Sequence, residues 1–133
     1  MDAARLVAEA ERTLRSGPQP EHVIAEAWQA YELTEAVARL LGDDPARPAV
    51  RAGPVPVVTA GAAGPRAARL TGVRDPAGTL RALRALLGEI GLALVGLTGT
   101  AEDEAAYWQC VEALDAVDEA KDRIRELVRA GGG

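Results

Sequence analysis

Two acidic pairs, Glu32 with Glu35 and Glu112 with Asp115, have a spacing that could do chemistry, because residues three apart share a helix face. Carboxylates placed this way on facing helices can hold Mg²⁺ and activate water for hydrolysis of a phosphate or pyrophosphate ester. Helical phase argues for a blander role. Glu32 falls opposite the apolar centre of its own segment, and Glu112 and Asp115 fall on an acidic flank, the pattern of a solvated charged face. The paired-glutamate motif that should precede such a metal site is also missing. A ferritin-like dimetal centre would need two Glu-x-x-His motifs, and the single histidine, His22, reads as a surface residue beside a helix start. Cys110 is the sole cysteine, has no histidine near it in sequence to activate it, and reads as a buried structural thiol. The glycine-rich stretch 59–65 lacks both the Gly-Lys-Ser/Thr of a phosphate loop and the three-glycine dinucleotide fingerprint. No catalytic, cofactor-binding or metal-ligating residue is assigned, and no cofactor is expected.

Charge is distributed unevenly. Residues 42–84 carry seven basic and three acidic side chains, whereas residues 85–133 carry four basic and ten acidic ones. Arg66, Arg69, Arg74, Arg81 and Arg84 cluster in the first of these stretches and form a candidate anion site. In the second stretch Glu112, Asp115, Glu119 and Asp122 repeat along one helical flank with Trp108 at its upper end. An aromatic beside a one-sided row of acids offers an apolar anchor with an electrostatic rim, so this flank, continued by Trp28 and Tyr31, is the expected interaction surface. The other role open to each tryptophan is packing beneath the long connection described below.

The elements that position these groups follow from apolar periodicity. The first helix is predicted over 3–15, capped by Asp2 and ended by Gly17-Pro18-Gln19-Pro20; the second covers 21–41 and stops at Gly42. The third, 76–98, opens with Asp75 as cap and Pro76 in its first turn, and carries an apolar repeat through Leu80, Leu83, Leu87, Ile90, Leu94 and Leu97. Beyond Ile90 it reads as apolar on every side, so its second half should be the most buried element. Gly88, Gly91 and Gly96 within it suggest close approach of a neighbouring helix. Thr100 with Asp103 resembles a capping box for a fourth helix over 101–130. The stretch 42–75 holds five of the eight prolines and reads as a long crossover, with strand character at 55–59 and a short helix at 65–71. A ten-residue echo, Trp28 to Val37 against Trp108 to Val117, hints at two related helical hairpins.

At 133 residues, one domain spanning 1–133 is expected. Alanine, leucine and valine dominate the apolar residues and phenylalanine is absent, which suits closely packed helices. The fold class expected is all-α: an antiparallel four-helix bundle of two hairpins joined by the Pro/Gly-rich crossover. A net charge of −5 argues against nucleic acid as partner. The longest apolar run, 90–97, is far short of a membrane span, and the acidic start of the chain is unlike a signal peptide, so no membrane association and a cytoplasmic location are expected. One lysine against fourteen arginines is the bias of a GC-rich genome.

At Glu26-Ala27-Trp28-Gln29-Ala30, Leu70 to Pro76, Leu86 to Gly91 and Tyr107-Trp108-Gln109-Cys110, the chain resembles a group of small helical proteins of unknown function from GC-rich actinomycete bacteria. The resemblance implies a bacterial setting and brings no activity or site residue. The residues themselves favour a non-enzymatic protein-interaction or assembly module that self-associates, with a protein or a second copy as partner. Two alternatives stay open: a metal-dependent all-α nucleotide pyrophosphohydrolase-like enzyme using Glu32, Glu35, Glu112 and Asp115, and a small anionic ligand binder using the crossover arginines.

Overall fold

The computed structural model describes residues 1–16, 19–42 and 66–131. The expected strand at 55–59 and the glycine-rich stretch 59–65 lie outside the described residues. Among the described residues there are five helices: α1 (Ala3–Ser16), α2 (Pro20–Leu40), α3 (Arg66–Arg69), α4 (Pro76–Thr100) and α5 (Glu104–Gly131). The described residues contain no strand, only one parallel bridge between Asp2 and Gly72.

Helix ends are set by local chemistry. Asp2 serves two elements: its Oδ2 accepts from the Ala4 N–H at 3.0 Å, capping α1, and its Oδ1 accepts from the Arg74 N–H at 2.8 Å. The Arg74 amide, more than any other group, holds the Asp2 carboxyl below the ordinary aspartate range. The bridge and the Asp2–Arg74 bond fasten the start of α1 to the segment that leads into α4. Proline opens α2, and α2 gives way to Gly42 in the left-handed region at φ 131°, a conformation that glycine adopts without steric penalty. Asp75 caps α4 by accepting from the Gly78 N–H at 3.0 Å. The break between the last two helices falls later than the glycine signal suggested. Helix α4 runs through Gly99 to Thr100, and Asp103, not Thr100, caps α5 by accepting from the Ala106 N–H at 2.8 Å. Aspartate is the better cap here because its short carboxylate reaches the free amide three residues on.

One core joins the four long helices. Leu6 and Val7 of α1, Leu33 and Val37 of α2, Leu87, Ile90 and Leu94 of α4, and Val117 and Ile124 of α5 are all buried in it. Helix α4 packs on α1, α2 and α5, while α2 packs on α1, α4 and α5 and also carries α3. The echo between α2 and α5 follows this core: Ala30 and Cys110, Leu33 and Ala113, and Val37 and Val117 are buried in corresponding places, whereas Trp28 and Trp108 are exposed. The two helices turn the same pattern inward.

The second half of α4 departs from expectation. Leu92 is 76% exposed and Val95 57%, although Ile90, Gly91 and Leu94 between and beside them are buried. The run of apolar residues gave the right hydropathy, but it could not say that one side of the helix lacks a neighbour. The glycines follow suit. A Cβ on Gly91 would meet Val117 Cγ1 at 3.7 Å and Lys121 Nζ at 3.9 Å, ordinary contact, whereas one on Gly88 or Gly96 would meet nothing within 4 Å. A neighbouring helix therefore lies beside Gly91, but at none of the three positions is it close enough to require glycine. Among the described residues no helix is long and apolar enough to cross a membrane.

Candidate interaction surface

The crossover arginines do not assemble into one site. Helix α3 places Arg66 in the groove between α1 and α2, where its guanidinium is buried. Its Nη1 donates to Glu26 Oε1 at 2.5 Å, its Nε to Glu9 Oε1 at 3.3 Å and its Nη2 to Thr13 Oγ1 at 3.2 Å, and its backbone N–H donates to Gln29 Oε1 at 3.1 Å. Arg69 completes the cluster with a bond to each oxygen of Glu9, at 3.0 and 2.9 Å. Arg74, Arg81 and Arg84 stay exposed, the last two on α4. The expected five-arginine anion site is thus corrected to an internal ion-pair cluster and three outward arginines. Carboxylates of α1 and α2 claim Arg66 and Arg69 because a guanidinium drawn out of water must be paired and hydrogen-bonded. Burial is the larger influence on Glu26, pushing its carboxyl above the ordinary glutamate range despite the Arg66 charge beside it.

Glu9, Thr13, Glu26 and Gln29 were not singled out from the sequence. A signal existed in Glu26, which interrupts the apolar face of α2 between Val23, Ala27 and Ala30. A carboxylate in a core stripe requires a buried partner, and the sequence alone does not say which of fourteen arginines supplies it.

The four carboxylates of the metal alternative are dispersed by use. Glu35 pairs with Arg123 of α5 at 3.7 Å, Glu32 is partly buried with its carboxyl pushed up by desolvation, and Glu112 and Asp115 are exposed on α5. Among the described residues no group of three or more His, Cys, Asp or Glu side chains comes together in a way that could hold a metal ion.

The aromatic and acidic residues do share the outer surface. Trp108, Glu112, Asp115, Glu119 and Asp122 are all exposed on one flank of α5. Tyr31 lies beside that flank: burial and then the Glu119 carboxylate, followed by Glu35 and Glu32, raise its phenol above the ordinary range. Trp28 stands edge-on to Tyr31 with centroids 6.3 Å apart, and Tyr107 and Trp108 form a second edge-on pair at 5.2 Å. Trp28 and Tyr31 therefore continue the surface across α2. Among the described residues no arginine of the 66–84 segment pairs with an acid of α5. Asp122 of the flank pairs instead with Arg125 one turn along α5, at 2.5 Å.

A second feature adjoins it, one that periodicity did not reveal. On the far side of α5 a groove of about 510 Å³ runs between α5 and α4. Gly88, Gly91, Leu92 and Val95 line it from α4, and Val111, Leu114, Asp115, Asp118 and Lys121 line it from α5. Asp115 thus belongs both to the acidic flank and to the groove.

The fold and this surface define an all-helical protein whose internal charges are paired and whose outward face combines exposed aliphatic, aromatic and acidic groups without an assembled set of reactive side chains among the described residues. The chain belongs to a family of unknown function, DUF6099, whose profile matches residues 1–130. No curated protein and no solved structure matches it.

Proposed function

We propose that this protein is a non-enzymatic interaction or assembly module that associates with a second copy of itself, in a bacterial cytoplasm. The observation that carries the reading is the outward apolar strip of α4, Leu92 with Val95, set beside α5 acids that no arginine of the 66–84 segment neutralises. Exposed aliphatic groups in a contiguous strip, rimmed by the charged side chains Asp115, Asp118 and Lys121, are the composition of an interface core and rim. The architecture behind it is an antiparallel four-helix bundle, α1 with α2 and α4 with α5 forming two hairpins that the 42–75 crossover joins. The short links at 17–19 and 101–103 and the position of Val117 and Lys121 beside Gly91 support that arrangement. The arginine bias supports an origin in GC-rich actinomycetes.

An anion-binding role would have to do without Arg66 and Arg69, whose guanidiniums already face carboxylates. Sedimentation at low and high ionic strength tests the self-association. A dimer that weakens as salt screens charge is expected, since exposed charges lose most of their attraction beyond a Debye length of about 8 Å at physiological salt. Monomers under both conditions, at protein concentrations up to about 1 mM, would end the reading.

A further inference from the structure

We infer that two copies pair through α4 packed antiparallel on α4 of the partner about a two-fold axis near Gly88 and Leu92, with Arg84 of each copy meeting Asp115 of the other. The inference rests on the self-association proposed above and adds its geometry. One stripe of α4 carries exposed Arg81 and Arg84 at its start, half-buried Gly88 in the middle, then exposed Leu92, Val95 and Gly99, while Ala85, Glu89 and Gly96 are exposed along its edge. At about 100° per residue the stripe positions stay within a strip less than a third of the helix circumference. The stripe is basic at one end and apolar at the other. The acids lie beside the apolar end, because α5 runs past α4 with Val117 and Lys121 level with Gly91, which puts Asp115 about level with Val95 and Glu112 near Gly99.

That layout is self-complementary under one operation. A two-fold axis crossing α4 near residue 90 sets Gly88 against Leu92 of the partner and Arg84 against the Val95–Gly96 level, beside Asp115. Arg81 then falls near Glu112. A parallel pairing would instead stack Arg81 and Arg84 of both copies together and leave the acids unmatched. Isologous contacts of this kind close after two subunits, which is the usual outcome for a small homo-oligomer. The open space at Gly88 and Gly96 allows the two backbones to approach, and antiparallel alignment also opposes the helix dipoles. Leu92 fills the gap left by Gly88 of the partner, and the groove of each copy receives the other's helix.

Charge reversal on these exposed residues tests the pairing directly. Arg84→Glu and Asp115→Arg should each lose dimer, with an apparent Kd raised ~10-fold or more, because each homodimer then holds two like-charge contacts. Mixing the two variants should restore association to near the wild-type Kd, since both contacts in the mixed dimer are again opposite in charge. Circular dichroism should show each variant as helical as the wild type. Leu92→Glu should dissociate the dimer without a mixing partner that rescues it. A wild-type dimer that neither reversal weakens, or whose variants do not recover on mixing, would overturn this pairing and leave self-association standing. A wild-type monomer would overturn both. A monomer that captures a different protein through Leu92 would assign the groove to that protein and likewise overturn the second-copy reading.

Discussion

Arg66 and Glu26, forty positions apart in the chain, meet at 2.5 Å with side chains that are 9% and 6% exposed, and the contact fixes α3 in the groove between α1 and α2. Glu9 shares Arg66 and binds Arg69 as well, so the cluster has two carboxylates for two guanidiniums. Such a cluster specifies where the end of the crossover docks more than it adds to stability, because desolvation offsets most of the attraction.

Removing one partner should therefore be worse than removing both. Arg66→Met strands Glu26 and is expected to lower stability by about 3 to 5 kcal/mol. Glu26→Leu combined with Arg66→Met should recover most of that loss. Urea denaturation of the two single variants and the double variant measures the coupling, and an additive cycle would show that the pair is not the anchor of α3.

The raised carboxyl of Glu26 has a pH signature of definite sign. Above the ordinary glutamate value of about 4.3, the unfolded chain has released a proton that the folded state still holds. The stabilisation from this group is full below that pH and is lost as pH rises through the folded value. Glu32, also raised by burial, contributes in the same direction. Glu26→Gln should make the unfolding free energy less steep with pH above the ordinary glutamate value. An unchanged slope would mean that Arg66 holds Glu26 ionised throughout.

Leucines of α4 separate the core from the proposed interface. Leu87→Ala and Leu94→Ala, both fully buried, should each lower stability by about 2 to 5 kcal/mol. Leu92→Ala should change the stability of the isolated monomer by no more than about 0.5 kcal/mol. Thermal melts at a dilution where any dimer has dissociated make the comparison, and a large loss at Leu92 would show that this side chain is covered within one chain.

Two glycines of the same helix should respond in opposite ways. Gly96→Ala meets open space and should stabilise the monomer by up to about 1 kcal/mol. Gly78→Ala would drive its Cβ into the Asp75 carboxylate that caps α4 and should cost about 1 kcal/mol. Chemical denaturation of both variants checks the pair of signs.

Metal gives a further test. Mg²⁺ or Mn²⁺ at millimolar concentration should leave the melting temperature unchanged, because Glu35 is paired with Arg123 and Glu112 and Asp115 stand exposed on α5. Stabilisation abolished by Glu112→Gln would reopen the hydrolase reading.

Much of the fold was legible because it is local. Apolar repeats of three and four, Asp75 with Pro76, and Gly42 each act within a few residues, so the long helices and most of their ends can be read in one dimension. The same holds for the acidic flank of α5, whose members share a face by spacing alone. The proline at 65 likewise foreshadowed the short helix that became α3.

What the sequence by itself determined is therefore the set of long helices, the inward face of each apart from the second half of α4, and the row of acids with its tryptophan. Tertiary structure alone decided which arginines are consumed, that Glu9 and Glu26 take Arg66 and Arg69, and that Leu92 and Val95 remain outside. The reason is physical: helical periodicity follows from backbone geometry within a few turns, whereas burial and charge pairing depend on which distant surface arrives opposite a residue. An apolar side chain has the same hydropathy whether a neighbour covers it or not, and only packing settles the difference.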